Sequence, residues 1–128
     1  MAFERGDSPG SYQLPQGGLD LDEEPMEAAW RELGEETGLG EQHVVARAEF
    51  PEWTVSEWPA EVRMMRGKSP GRRGQVHKWF LFDALSDDIA PTPDGSEFVG
   101  WQWVEPAWLI EHVPAWRQAA YARVLGSL

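Results

Sequence analysis

The stretch GGLDLDEEPMEAAWRELGEETGL, residues 17–39, constrains this chain more than any other. Its residues predict a helix that opens at Pro25 and closes at Gly38. Proline suits the first turn, because the amide hydrogen it lacks would have no helical partner there. Glycine suits the position past the last turn, where a left-handed backbone costs little without a Cβ. Met26, Ala29, Trp30 and Leu33 recur at helical spacing and form one apolar stripe. The helix must therefore dock that stripe on a core.

Its carboxylates call for a separate explanation. Glu32, Glu35 and Glu36 stand at i, i+3 and i+4 and project from one face. Arg31 has Glu27 four residues before it and Glu35 four after, so its charge is matched along the helix. Glu32 and Glu36 have no Lys or Arg three or four residues away. A like-charged pair at this spacing costs roughly 0.2–0.5 kcal/mol in an isolated helix. Gly34 between them costs about 1 kcal/mol more than alanine would. A glutamate cluster is most often a solvated face. The alternative is a hard divalent cation such as magnesium, which takes one or two carboxylates together with substrate phosphates. The glycine pair at 17 and 18 frees the preceding loop to turn its carbonyls toward a ligand.

A chain of 128 residues reads as one domain, residues 1–128. It contains no apolar run near 18 residues, so no membrane span is expected. No apolar signal core opens it. Cysteine is absent, which excludes thiolate metal sites and disulfides and fits a reducing cytoplasm. The net charge of −11 argues against sequence-blind binding to duplex nucleic acid. Yet Arg63, Arg66, Lys68, Arg72, Arg73 and Lys78 gather six of the eleven basic residues into sixteen positions. A local positive patch on an acidic protein suits a polyphosphate.

Strands are expected at residues 2–5, 11–14, 43–50 and 97–104, with a short strand or loop at 53–58 and weak alternation at 61–65. In the strand at 43–50, Val44, Ala46, Ala48 and Phe50 should share one face. Residues 75–84, QVHKWFLFDA, read as one central strand, apolar on both faces except at Lys78. Residues 68–74 read as a basic loop. A short helix should follow Pro106, and a last helix should run to about Leu125 with Trp116, Ala119, Ala120 and Val124 inward.

Gly17, Glu23, Arg31, Glu32, Leu33, Glu35, Glu36, Gly38 and Leu39 complete a G-x5-E-x7-R-E-U-x-E-E-x-G-U pattern, where U is apolar. The pattern resembles the Nudix box of the Nudix hydrolases at every fixed position. SYQLPQGGLD, GQVHKWFLF and EFVGWQW look like segments of the dinucleoside polyphosphate hydrolase and RNA 5′-pyrophosphohydrolase group. Tyr12 replaces that group's usual tryptophan, and a tyrosine expected near Ser56 is missing. The resemblance implies an α/β fold, a mixed sheet sandwiched between helices in an α/β/α arrangement. Only sixteen residues precede Gly17, where such folds carry a longer segment with a core strand. Either that first strand is lost from a truncated start or another element covers the gap. An open sheet edge near residues 2–5 would then favour a homodimer.

The resemblance also implies a magnesium-dependent hydrolase, with manganese as an alternative ion. It would cleave a phosphoanhydride bond in a nucleoside diphosphate linked to X, a dinucleoside polyphosphate or related nucleotide. An RNA 5′ end is the alternative substrate, and a non-catalytic nucleotide-binding module the alternative role. Glu32, Glu35, Glu36, Glu97 and the main-chain carbonyl of Gln16 would hold the ions. Arg31 would orient Glu32, and Glu23 would bond to the helix start or a ligand. Glu35 and Glu97 are the first candidates for general base. Lys78, with Arg72 or Arg73, would neutralise phosphates, and Trp53 or Trp58 would stack a base. His77 reads as an ordinary polar residue.

Overall fold

The computed structural model describes residues 1–66 and 72–128, without the side chains of residues 64–66. Residues 67–71, which take in 68–71 of the expected basic loop and so Lys68, lie outside the described part. Helix α1 spans Pro25–Thr37 and ends on Gly38, whose φ of 72° is left-handed. The Gly38 amide donates to the Gly34 carbonyl at 2.9 Å. Ala28, Glu36 and Thr37 are its buried residues, while the expected stripe is only half-buried. Trp30 nevertheless packs edge-on against Phe82, with ring centroids 4.8 Å apart. The Thr37 hydroxyl donates to the Leu33 carbonyl, and the Thr37 carbonyl accepts the Thr92 amide at 2.7 Å. The end of α1 is thereby tied to the loop before the last strand.

Strand β1 (Ala2–Arg5) lies between β2 (Tyr12–Gln13) and β7 (Phe98–Gln102), antiparallel to both. Ala2 and Phe3 are buried, and Phe3 stacks on Phe98 at 5.1 Å. This corrects the expectation of a lost first strand: β1 fills a core position itself. Both of its edges are paired, so the open edge from which a homodimer was expected is not at β1.

Strand β3 (Val44–Glu49) pairs with β6 (Phe80–Ala84), and β4 (Thr54–Glu57) with β5 (Gly74–His77). The ladder of β3 and β6 slips between Ala46 and Ala48, which breaks the expected alternation and leaves Ala48 exposed. The single strand expected at 75–84 is two strands. The break falls at Lys78 and Trp79, opposite the turn at Pro51, because proline removes a ladder donor and bends the partner chain. The Phe50 amide still reaches the Trp79 carbonyl at 3.0 Å, and the Trp79 indole N–H donates to the Thr54 hydroxyl at 2.8 Å. Alternation at 61–65 also misleads. Helix α2 (Ala60–Arg66) forms there, and the Pro59 carbonyl accepts the amides of Val62 and Arg63.

Helix α3 (Pro106–His112) is followed by a 3₁₀ turn (Ala115–Arg117) and helix α4 (Gln118–Leu125). Leu109, Val113 and Tyr121 close one core cluster with Ala2. Tyr121, and not Ala119, faces inward; its ring meets Trp79 at 5.1 Å and its hydroxyl accepts the Leu14 amide at 3.0 Å. Strands thus lie between α1 on one side and α3 with α4 on the other, the expected α/β architecture.

Candidate active site

Arg31 is the hub of the site. Its Nε and Nη2 donate to the two carboxylate oxygens of Glu23 at 2.8 and 2.9 Å. Nη2 also donates to the Gly18 carbonyl at 2.8 Å. Nη1 donates to Glu32 at 2.7 Å and to Glu35 at 3.3 Å. One guanidinium therefore ties the glycine loop to α1. The Arg31 bonds, with the Asp20 amide, hold the Glu23 carboxyl down at about 2. Glu23 bonds to Arg31 and the Asp20 amide, not to the helix start. Glu32 is also not unmatched, as its spacing suggested. The adjacent arginine reaches it, a contact that i, i+4 reasoning does not consider.

Glu36 is buried and accepts the Gln16 amide at 3.1 Å. Burial pushes its carboxyl up to about 8, with the charges of Glu97, Glu32 and Asp94 adding to the rise. Glu97 is raised by burial and by Asp94 and Glu32, and drawn back by Arg5 and Arg117. The negative charges of Glu97 and Glu32 therefore act on Glu36, and that of Glu32 acts on Glu97. Gly17 completes the packing, because a Cβ there would stand 1.9 Å from the Glu32 Cδ. Asp94, which sequence reasoning missed, accepts the amides of Ser96 and Phe98 and so fixes the approach to Glu97. Its signal was the DGS turn at 94–96. Glu35 is largely exposed and faces Arg31.

Among the described residues, no three acidic or histidine side chains already converge closely enough to hold a metal ion. The donor chemistry nonetheless fits one. A buried carboxyl, raised first by burial and then by its acidic neighbours, is what a divalent cation would relieve.

Two clefts flank the Gln16–Gly17–Gly18 loop. The larger, of about 870 Å³, is lined by Glu32, Trp53, Lys78 and Phe80 among others. The second, of about 730 Å³, is lined by Arg5, Arg72, His77, Glu97 and Arg117 among others. Lys78 donates to the Phe50 carbonyl at 2.7 Å and lies 3.4 Å from Glu49. Arg72 lies over the Trp58 ring at 5.6 Å, and Arg73 lines neither cleft. Trp58 is buried, which removes it as a stacking surface; Trp53 is 47% exposed and remains one. Sequence reasoning missed Arg5 and Arg117. An isolated arginine in a strand or helix carries no signal of an inward course.

The NUDIX domain family profile matches residues 2–125. An RNA pyrophosphohydrolase of Cereibacter sphaeroides is 37% identical, over 99% of this chain and 80% of that relative. Two solved structures share the fold. The E. coli dihydroneopterin triphosphate pyrophosphohydrolase has a TM-score of 0.75 at 20% identity, covering 99% of this chain and 85% of that one. A C. elegans Ap4A hydrolase has a TM-score of 0.66 at 17% identity, covering 98% and 83%. With the box on α1 and the match along nearly its whole length, this chain belongs to the Nudix family and is a Nudix pyrophosphohydrolase.

Proposed function

We propose that the enzyme cleaves a phosphoanhydride bond at the 5′-polyphosphate end of RNA, using magnesium, with manganese as a substitute. The observation that carries the reading is the gathering of carboxylates at the glycine loop: buried Glu36 accepts the Gln16 N–H, Glu32 lies against Gly17, and the charges of Glu97 and Glu32 act on Glu36. The name of the 37%-identical relative favours RNA over other nucleotides. A dinucleoside polyphosphate is the second reading, favoured by the SYQLPQGG segment and by the half-exposed Trp53. Both substrates present a nucleoside 5′-polyphosphate, so the same residues serve either.

Glu32, Glu36 and Glu97, with Glu35 and the Gln16 carbonyl, would hold the ion. Such an ion, when bound, neutralises phosphate charge and acidifies water. Arg31 fixes the Glu32 carboxylate, and Glu23 fixes Arg31. Glu35 or Glu97 takes the proton from the attacking water; the exposure of Glu35 gives it access to solvent. Lys78 and Arg72 neutralise phosphates from the two clefts, and Lys78 must give up its Phe50 bond to do so. Arg73 serves only if its side chain turns inward. Trp53 offers a stacking face for a base. Action on nucleotides in the cytoplasm, by a single domain, belongs to the same reading.

The test is a panel of triphosphorylated RNA and diadenosine polyphosphates with magnesium or manganese, read out by released phosphate or pyrophosphate. RNA should be turned over with the higher kcat/KM. A preference of tenfold or more for the dinucleotides would replace the first reading by the second.

A further inference from the structure

Arg117 comes from the 3₁₀ turn near the end of the chain, yet it is only 3% exposed. A guanidinium in the interior is costly unless its donors are met. Its Nη1 donates to the Gln13 side-chain oxygen at 2.7 Å and to the Gln16 side-chain oxygen at 3.2 Å. The same Gln13 oxygen accepts Arg5 at 3.1 Å, so arginines from β1 and from the 3₁₀ turn grip one amide. Gln16 is held twice. Arg117 takes its side chain, and Glu36 takes its main-chain N–H. The neighbouring Gly17 is pressed against Glu32. The segment between Gln13 and Gly17 is thus fastened to α1 on one side and to the 3₁₀ turn on the other.

We propose that Arg117 is a positioning residue for the metal site: through Gln13 and Gln16 it holds the loop main chain in place beside Glu36. Its reach fits the task, because a single guanidinium nitrogen, Nη1, serves both glutamine oxygens, and arginine's planar group holds that nitrogen in a more fixed geometry than a lysine ammonium does. The inference rests on the metal-site reading above. Arg117 touches the loop and not the ion, so its removal should weaken metal binding without deleting a ligand. Groups that orient ligands in this way typically change metal affinity by about 10–100-fold.

The test is Mn²⁺ titrated alone into the protein, with free ion followed by electron paramagnetic resonance. The variants are Gln16→Ala, Arg117→Lys, Arg117→Met and the combination Gln16→Ala with Arg117→Lys. Gln16→Ala keeps the main-chain carbonyl and N–H. Gln16→Ala and Arg117→Met should each weaken Mn²⁺ about tenfold, with Arg117→Lys recovering part of the loss. The losses in the combination should fall short of multiplying, because both members weaken the same Arg117–Gln16 link. If wild type binds Mn²⁺ and Gln16→Ala and Arg117→Lys bind it equally well, the inference fails and the metal site stands. Losses that multiply in the combination also overturn it. If wild type itself binds no Mn²⁺, the metal-site reading fails first. Should Arg117→Met not fold, the other three variants still decide.

Discussion

Glu36→Gln in the metal-free enzyme tests the electrostatics of the site most directly. Folding moves the Glu36 carboxyl from 4.5 up to about 8. The folded chain then holds this proton more tightly than the unfolded chain. Stability is therefore fully present below pH 4.5 and is lost as pH climbs through 8, the reverse of a salt-bridged carboxylate. At pH 7 the penalty is about 3 kcal/mol, from about 1.4 kcal/mol for each of roughly 2.5 pH units. Water entering the site lowers this, so about 1.5–3 kcal/mol is the expected gain for the variant. Glutamine retains an oxygen for the Gln16 N–H, so the bond is kept while the charge is removed. The assay is urea unfolding in chelator between pH 5 and 8.5. Wild type should lose stability across this range, and Glu36→Gln should be flatter and more stable at pH 8. Adding magnesium at pH 8 should stabilise wild type more than the variant. Wild-type stability that is level or rising from pH 5 to 8, or a variant no more stable at pH 8, would refute the reasoning.

Gly17→Ala should cut kcat/KM by about tenfold or more, because the new Cβ displaces the Glu32 carboxylate; steady-state kinetics at several magnesium concentrations would show whether added ion restores it. Phe3→Ala should cost about 3–5 kcal/mol in urea unfolding, since Phe3 is fully buried against Phe98. A cost under 1 kcal/mol would mean that β1 is not a core strand.

The helix and its caps were legible because their causes are local. Proline at the start and glycine past the end act within a turn of themselves, and both ends of α1 fell where they predicted. The strand at 75–84 was illegible for the opposite reason. Its apolar run, interrupted only by the charge of Lys78, gives no sign of a break at Lys78 and Trp79, and what divides it is the turn at Pro51 between the two strands it pairs with. A pattern read along one chain segment contains no trace of a bend imposed from across the ladder. Residues 2–5 show the same thing in reverse. Counting residues before Gly17 suggested a missing strand, whereas AFER is enough to fill the centre of a three-stranded sheet.

Within the site, the limit of legibility follows the range of each interaction. The Arg31 contacts to Glu35 were readable from helical spacing, and the contact to Glu32 one residue away was not. The arginine leaves the helix axis to meet Glu23 and the Gly18 carbonyl, and it passes Glu32 on that course. The loop therefore determines how the helix charges are matched. The same dependence explains the raised carboxyls. Two like charges at i, i+4 cost only tenths of a kcal/mol on an exposed helix. Glu36 is raised first by burial, which depends on the loop and the core, and next by Glu97, a residue 61 positions away. Local spacing could point to an acidic face. It could not indicate that the fold brings a further carboxylate to that face while closing water away from it. That combination, more than the number of glutamates on the helix, makes a divalent ion the economical way to stabilise the site.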